Sequence, residues 1–297
     1  MPETTDIVDY QGEHLIRPPS EADSIILQVT VGCSHNRCTF CGTYKAEPFR
    51  LKNEETIAVD LEFAARYCRR QSRLFLADGD VLILPQTRLR RLLQDIRQRL
   101  PWVKRVRLYA NAKAVRHKSI QELQELAALG LDRVYLGLES GHDPTLAAID
   151  KGSTAEQMIA AGKAVRAAGL FLSVTALLGI AGRENSAAHA EATGRVLAAM
   201  APNQVGILTL MLLPGTPLYQ AAERGEFMLP DQVGLLRELR RMVAAMGDLR
   251  CQLQSNHPSN YLAINARLPR DREAVLAAID RALAGETSLR PEAWRAL

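Results

Sequence analysis

The sequence predicts an α/β fold built from repeated βα units, and three observations carry that expectation. Short β-like runs alternate with amphipathic helical runs over most of the 297 residues. The helical runs bring their own start and stop residues. Polar, chemistry-bearing sequences recur where the β-like runs end. The composition, 47% hydrophobic and 24% charged, is that of a globular chain long enough to bury a sizeable core.

In chain order, SIILQVTV (24–31) reads as the first strand and leads straight into a cysteine-rich loop. A helix is predicted over 54–70. RLFLADGD (73–80) reads as a strand that ends in a polar turn. The helix over 85–100 has Pro85 in its first turn, where a missing N–H costs nothing. A strand over 105–111 follows, then a helix over 119–130 with Ser119 as N-cap and Gly130 as stop. Strands are predicted over 133–141, 171–182 and 204–215, with helices over 153–169 and 186–201 between them. Six strands with five intervening helices require a mainly parallel sheet with right-handed crossovers.

Such a repeat closes as an open doubly wound sheet or as an incomplete barrel, and in both the chemistry belongs at the C-terminal strand ends. After residue 229 the pattern changes to a helix over 230–247, strand material over 251–269 and a helix over 271–285. The expected division is an N-terminal extension (1–23), a barrel (24–229) and a C-terminal α/β appendage packed on it (230–297).

The net charge of +4 and pI near 8.9 are only mildly basic. The densest basic run, Arg88, Arg90 and Arg91 with Arg97 and Arg99 on the same predicted helix, reads as a solvated face rather than a nucleic-acid stripe. The opening MPETTDIVDY shows no secretory leader, and runs such as VTALLGIAG are too short to span a membrane. A cytoplasmic location, with thiols kept reduced, is expected.

Cys33, Cys38 and Cys41 fall in GCSHNRCTFCGTYK with spacing C-x4-C-x2-C, and they are three of only five cysteines. Structural zinc takes four protein ligands, and His35 inside the first gap is poorly placed to be the fourth. A redox disulfide needs only two thiols. A [4Fe–4S] cluster held by three thiolates leaves one iron open to a small molecule. The cluster is the favoured reading, with structural zinc as the alternative.

Here the chain resembles the radical S-adenosylmethionine (SAM) enzymes, over roughly residues 24 to 219. The family's usual motif is C-x3-C-x2-C with an aromatic residue before the last cysteine. Phe40 matches that aromatic, while the first gap is one residue longer in this chain. The resemblance implies a partial (β/α)6 TIM-type barrel of the radical SAM kind. It implies that Cys33, Cys38 and Cys41 ligate a [4Fe–4S] cluster whose free iron chelates S-adenosyl-L-methionine. Reductive cleavage then gives a 5′-deoxyadenosyl radical that abstracts hydrogen from a substrate.

Further landmarks follow from the same resemblance. Asp78-Gly79-Asp80 stands where the family has a Gly-Gly-Glu turn that receives the SAM amino group. Glu139 ends the fourth predicted strand, where relatives place a SAM-contacting polar residue. Gly179, Ile180, Gly182 and Arg183, with Glu184, resemble the family's G-x-I-x-G-x-x-E pattern near the adenine, with its first and last gaps each one residue shorter in this chain. LPGTPLY resembles the subgroup of methylthiotransferases, Elongator-type subunits and coproporphyrinogen dehydrogenases.

Two polar clusters are candidates to face substrate: Tyr109, Asn111 and Lys113 after the third strand, and His257, Asn260 and Tyr261 in SNHPSNYL. Ordinary turn chemistry explains the second cluster equally well. His189 and Cys68 read as structural. Cys68 and Cys251 are too few for a second three-cysteine motif, and no segment has the size of a cobalamin or acetyltransferase domain. The expectation is therefore a single-cluster oxidoreductase or transferase acting on a small metabolite. It would be fed by an external one-electron donor of the flavodoxin or ferredoxin type. The alternatives are a tRNA-modifying enzyme of the same family and a zinc-stabilised binding protein without catalysis.

Overall fold

A computed structural model describes residues 7–296. Among the described residues ten strands form: β1 Ile25–Gln28, β2 Thr30–Val31, β3 Arg50–Leu51, β4 Arg73–Ala77, β5 Arg105–Ala110, β6 Leu131–Glu139, β7 Phe171–Leu178, β8 Gln204–Thr209, β9 Cys251–Ser255 and β10 Ile264–Leu268. Ten helices accompany them: α1 Glu54–Tyr67, α2 Gln86–Arg99, α3 Ala112–Arg116, α4 Ile120–Ala128, α5 Asp143–Ala148, α6 Ala155–Ala167, α7 Gly182–Met200, α8 Pro217–Glu223, α9 Gln232–Ala245 and α10 Arg272–Leu283. The strand order of the main sheet is β1-β4-β5-β6-β7-β8-β9-β10. Its first six members are the six strands expected from the βα repeat, in the order of a partial (β/α)6 barrel of TIM type.

The local chemistry explains the boundaries. Asn53 caps α1 through a bond from the Glu55 N–H, and Ser119 with Glu122 closes a reciprocal capping box on α4. Pro85 is the residue just before α2 rather than its first turn. The run 24–31 is not one strand. Val29 donates its N–H to Ala77 at 2.7 Å, and beyond it Thr30 and Val31 leave the main sheet to pair antiparallel with Leu51 and Arg50. This two-residue ladder closes the cysteine loop at its base.

Two compact units divide the chain. The first holds the described residues up to Asn36, then 43–135 and 167–171. Its sheet pairs β1, β4 and β5 in parallel. Phe75, Ala77 and Tyr135 pack there with Leu15, Ile26 and Tyr109, and the Phe75 and Tyr109 rings meet edge to face at 5.1 Å. The N-terminal segment is woven into this unit. Gln11 and Gln28 exchange two bonds of 2.8 Å, and Asp9 donates its N–H to Asp60 at 3.1 Å.

The second unit holds 37–42, 136–166 and the described residues from Leu172 onward. β7, β8 and β9 run parallel in it, and β10 returns antiparallel along β9. The strand material expected over 251–269 is thus a hairpin whose first arm extends the sheet beyond β8. Ile149, Ile180, Leu210 and Leu218 form a core cluster here. No helix among the described residues is long and apolar enough to cross a membrane.

Lys52 and Asp60 form an ion pair of 2.6 Å with both side chains fully buried, and the Lys52 ammonium also reaches the carbonyl of Asp9. Removing one partner strands a buried charge. Asp60→Asn is therefore expected to destabilise the chain by about 3–5 kcal/mol in urea unfolding, while an exposed pair such as Arg224–Glu226 contributes little.

Candidate active site

The end of β4 is built around one small residue. A Cβ placed on Gly79 would stand 3.1 and 3.2 Å from Cβ and Cα of Cys33 and 3.0 Å from the Tyr44 ring. Only glycine lets the strand end lie this close to the first cysteine. The two carboxylates that flank it are fully buried and point into protein bonds.

Asp78 accepts from Tyr44 Oη at 2.6 Å and Gln28 Nε2 at 3.1 Å, and from the backbone N–H groups of Gly32 and Ile16. Burial pushes its pKa up, opposed by those four donors. Asp80 accepts from Ser34 Oγ at 2.5 Å, Asn111 Nδ2 at 2.7 Å and the Asn111 N–H at 3.4 Å. Its burial is less well offset, and its pKa is pushed up to about 6. Ser34 directly follows Cys33, and Gly32 directly precedes it. The two carboxylates therefore hold the first cysteine from both sides along the chain.

The later part of the cysteine loop has its own anchors. Thr39 donates its N–H to the Ile149 carbonyl and accepts from the Leu218 N–H, both at 3.0 Å. Leu218 lies in the LPGTPL segment, whose Thr216 caps α8. Phe40 packs against the cluster that contains Ile180.

Glu139 ends β6 at a positive φ of 62° and holds Lys151 at 2.9 Å. The Gly179–Gly182 turn also needs its first glycine. Gly179 has φ of 82°, and a Cβ there would fall 2.7 Å from Leu229. Its N–H donates to the buried Glu238 of α9 at 2.6 Å. Ile180 is buried and Arg183 exposed. His189 is fully buried between Ser140 Oγ at 2.8 Å and the Leu177 carbonyl at 3.1 Å, the structural role expected of it. Cys68 sits at the C-cap of α1, half-buried.

The proposed substrate-facing residues differ in how far they are committed. Asn111 caps α3 and bonds Asp80, Tyr109 belongs to the aromatic cluster of the first unit, and Lys113 is exposed. Asn260 is buried and fully engaged: it accepts from Thr209 Oγ1 at 2.8 Å and donates to the Ile207 carbonyl at 2.7 Å and Ser255 Oγ at 3.0 Å. His257 bonds Ser259, and burial beside Arg290 lowers its pKa. Tyr261 is held by Glu292 and Arg295. Sequence reading missed Gln28, Ser34, Tyr44, Lys151 and Glu238. The serine and tyrosine lie inside the quoted cysteine stretch, while nothing local marks the other three.

The donor set suits an iron–sulfur group. None of the five cysteines is in a disulfide, and the three loop cysteines are half-buried. Thr39 Oγ1, between the second and third of them, is buried without a partner, as expected where a bound group supplies one. Among the described residues no three His, Cys, Asp or Glu side chains already converge as a metal site.

The chain belongs to the radical SAM superfamily, a superfamily of enzymes, whose sequence pattern it matches over residues 27–190. Members of that superfamily bind a [4Fe–4S] cluster and S-adenosylmethionine. Among curated proteins it is similar to 4′-phospho-dehydrooxetanocin synthase of Priestia megaterium, at 26% identity over 206 residues. That alignment covers 63% of this chain and 28% of the relative. Among solved structures, it is similar to the cobalamin-dependent SAM radical enzyme OxsB with aqua-cobalamin and SAM bound. The TM-score is 0.56 at 18% identity, covering 72% of this chain and 40% of that one. Coproporphyrinogen III oxidase (HemN) of Escherichia coli, a radical SAM enzyme, gives 0.53 at 17% identity, covering 74% and 51%. These likenesses at low identity establish the fold.

The Asp80 carboxyl fixes a pH dependence. Its folded value near 6 lies above its ordinary 3.8, so the folded chain binds that proton more tightly than the unfolded chain. The resulting stabilisation is complete below pH 3.8 and is lost as pH rises toward 6. The unfolding free energy of the wild type relative to Asp80→Asn is expected to fall by about 3 kcal/mol across that window and to stay level above it. Urea titrations of both proteins at a series of pH values check this.

Proposed function

We propose that this protein is a single-cluster radical SAM enzyme acting on a small metabolite, with Cys33, Cys38 and Cys41 as the cluster ligands. When bound at these cysteines, the cluster and S-adenosylmethionine would supply one-electron reductive cleavage of the sulfonium and hydrogen-atom abstraction from the substrate. The observation that carries this reading is the cysteine triplet within a chain of this superfamily, with Gly79 shaped to admit Cys33. The likeness to a synthase whose name denotes a phosphorylated small molecule favours a metabolite over tRNA.

In this reading the chain's own residues position and shield. Asp78 and Asp80, whose carboxylates are occupied, set the β4 end against the first cysteine rather than pairing with a ligand ammonium. Gly79 leaves its backbone open to a close approach. Glu139 and the 179–183 turn are the groups assigned to SAM, with Glu139 supplying the carboxylate and Ile180 and Phe40 the apolar wall. Tyr109, Lys113, His257 and Tyr261 remain the candidates for substrate contact. An external flavodoxin- or ferredoxin-type protein supplies the electron, and the enzyme works in the cytoplasm.

Anaerobically reconstituted and reduced protein is expected to convert SAM into 5′-deoxyadenosine and methionine, quantified by chromatography. Cys38→Ala is expected to lower that rate by about a hundredfold or more, because a ligand lost from a three-cysteine set has no replacement. Full cleavage by the variant would refute the ligand assignment.

A further inference from the structure

A cleft of about 670 Å³ opens at the N-terminal ends of β1, β4 and β5, the end opposite to that from which the cysteine loop departs. Asp23, Arg70, Gln71, Arg73, Lys104 and Arg105 line it. Four cations thus face one carboxylate.

The register makes the crowding specific. Arg73 and Arg105 are paired positions on the neighbouring parallel strands β4 and β5, so their side chains leave the sheet side by side on one face. Like charges directly across a strand pair are unfavourable. The two segments cannot splay to relieve this, because the Lys104 N–H is bonded to the Ser72 carbonyl at 2.9 Å.

Some arginines elsewhere in the chain are held by carboxylates. Two residues along β5, Arg107 is held by Glu21 at 2.6 Å and Asp132 at 3.3 Å. Arg88, Arg90, Arg99 and Arg240 each have a carboxylate. Among the described residues Arg70, Arg73, Lys104 and Arg105 have no ion pair, and the Lys104 ammonium meets only the Pro101 carbonyl at 3.4 Å.

We infer that this cleft binds the phosphate of a nucleotide, either free or as a unit of RNA. A phosphate dianion relieves the Arg73–Arg105 repulsion by accepting from both guanidinium forks. The site is separate from the cysteine loop, and it does not depend on the radical chemistry.

The test uses the full-length reconstituted protein and two probes, ADP and a short single-stranded RNA, with affinity measured at low and at physiological salt. Binding is expected to weaken with salt, and Lys104→Glu and Arg105→Glu are each expected to weaken it about tenfold or more. Arg281→Glu, an exposed position on α10 with the same charge change, is expected to leave it unaltered. Retained cleavage of SAM by the two cleft variants would show that they fold. A loss of ADP affinity identifies a free nucleotide as the source, and a loss confined to RNA identifies a polynucleotide; both support the site. Failure of both probes to bind at millimolar concentration, or binding indifferent to both cleft substitutions, overturns it.

Discussion

The structure around the first cysteine depends on one close approach, the backbone of β4's end lying against Cys33 across a residue with no side chain. Everything nearby serves that approach. Two buried carboxylates bracket the glycine, one bonded to the N–H before the cysteine and the other to the hydroxyl after it. Each is taken out of water, which raises its pKa, and each is compensated by donors from several segments. The result is a loop whose origin is fixed although the loop itself has little regular structure. Such preorganisation suits a ligand that must present a thiolate at a set position.

The N-terminal segment belongs to the same arrangement. Sequence reading treated it as an extension, yet Gln11 grips Gln28, Gln28 donates to Asp78, and the Ile16 N–H reaches the same carboxylate. Leu15 joins the aromatic cluster beside Tyr109 and Tyr135. Lys52 and Asp60 hold its earlier part through Asp9. The segment is thus part of the support of the β4 end.

What was legible follows from what is local. The βα alternation, the Ser119 capping box and the strand ends were readable because periodicity and capping are properties of neighbouring residues. The Asp-Gly-Asp turn and the 179–184 pattern were found as motifs, but their meaning depends on distant partners. Asp78 meets Tyr44 and Gln28 across 34 and 50 positions, and Asp80 meets Asn111 across 31. Glu238 reaches Gly179 across 59. No short-range signal marks such pairs. The break at Val29 was equally hidden, since IILQVTV contains no turn residue and the break is imposed by pairing with β3. The polar run after β9 was read as a possible cover for substrate. Asn260 shows the alternative use, tying that loop back to β8 through the Ile207 carbonyl and Thr209.

The most direct test is electron paramagnetic resonance of the anaerobically reconstituted, chemically reduced protein, recorded before and after addition of S-adenosylmethionine. The account predicts a reduced [4Fe–4S] signal that changes shape when the sulfonium compound binds, because one iron carries no cysteine. A protein that takes up no iron and sulfide, or whose cluster signal is unchanged by S-adenosylmethionine, contradicts it.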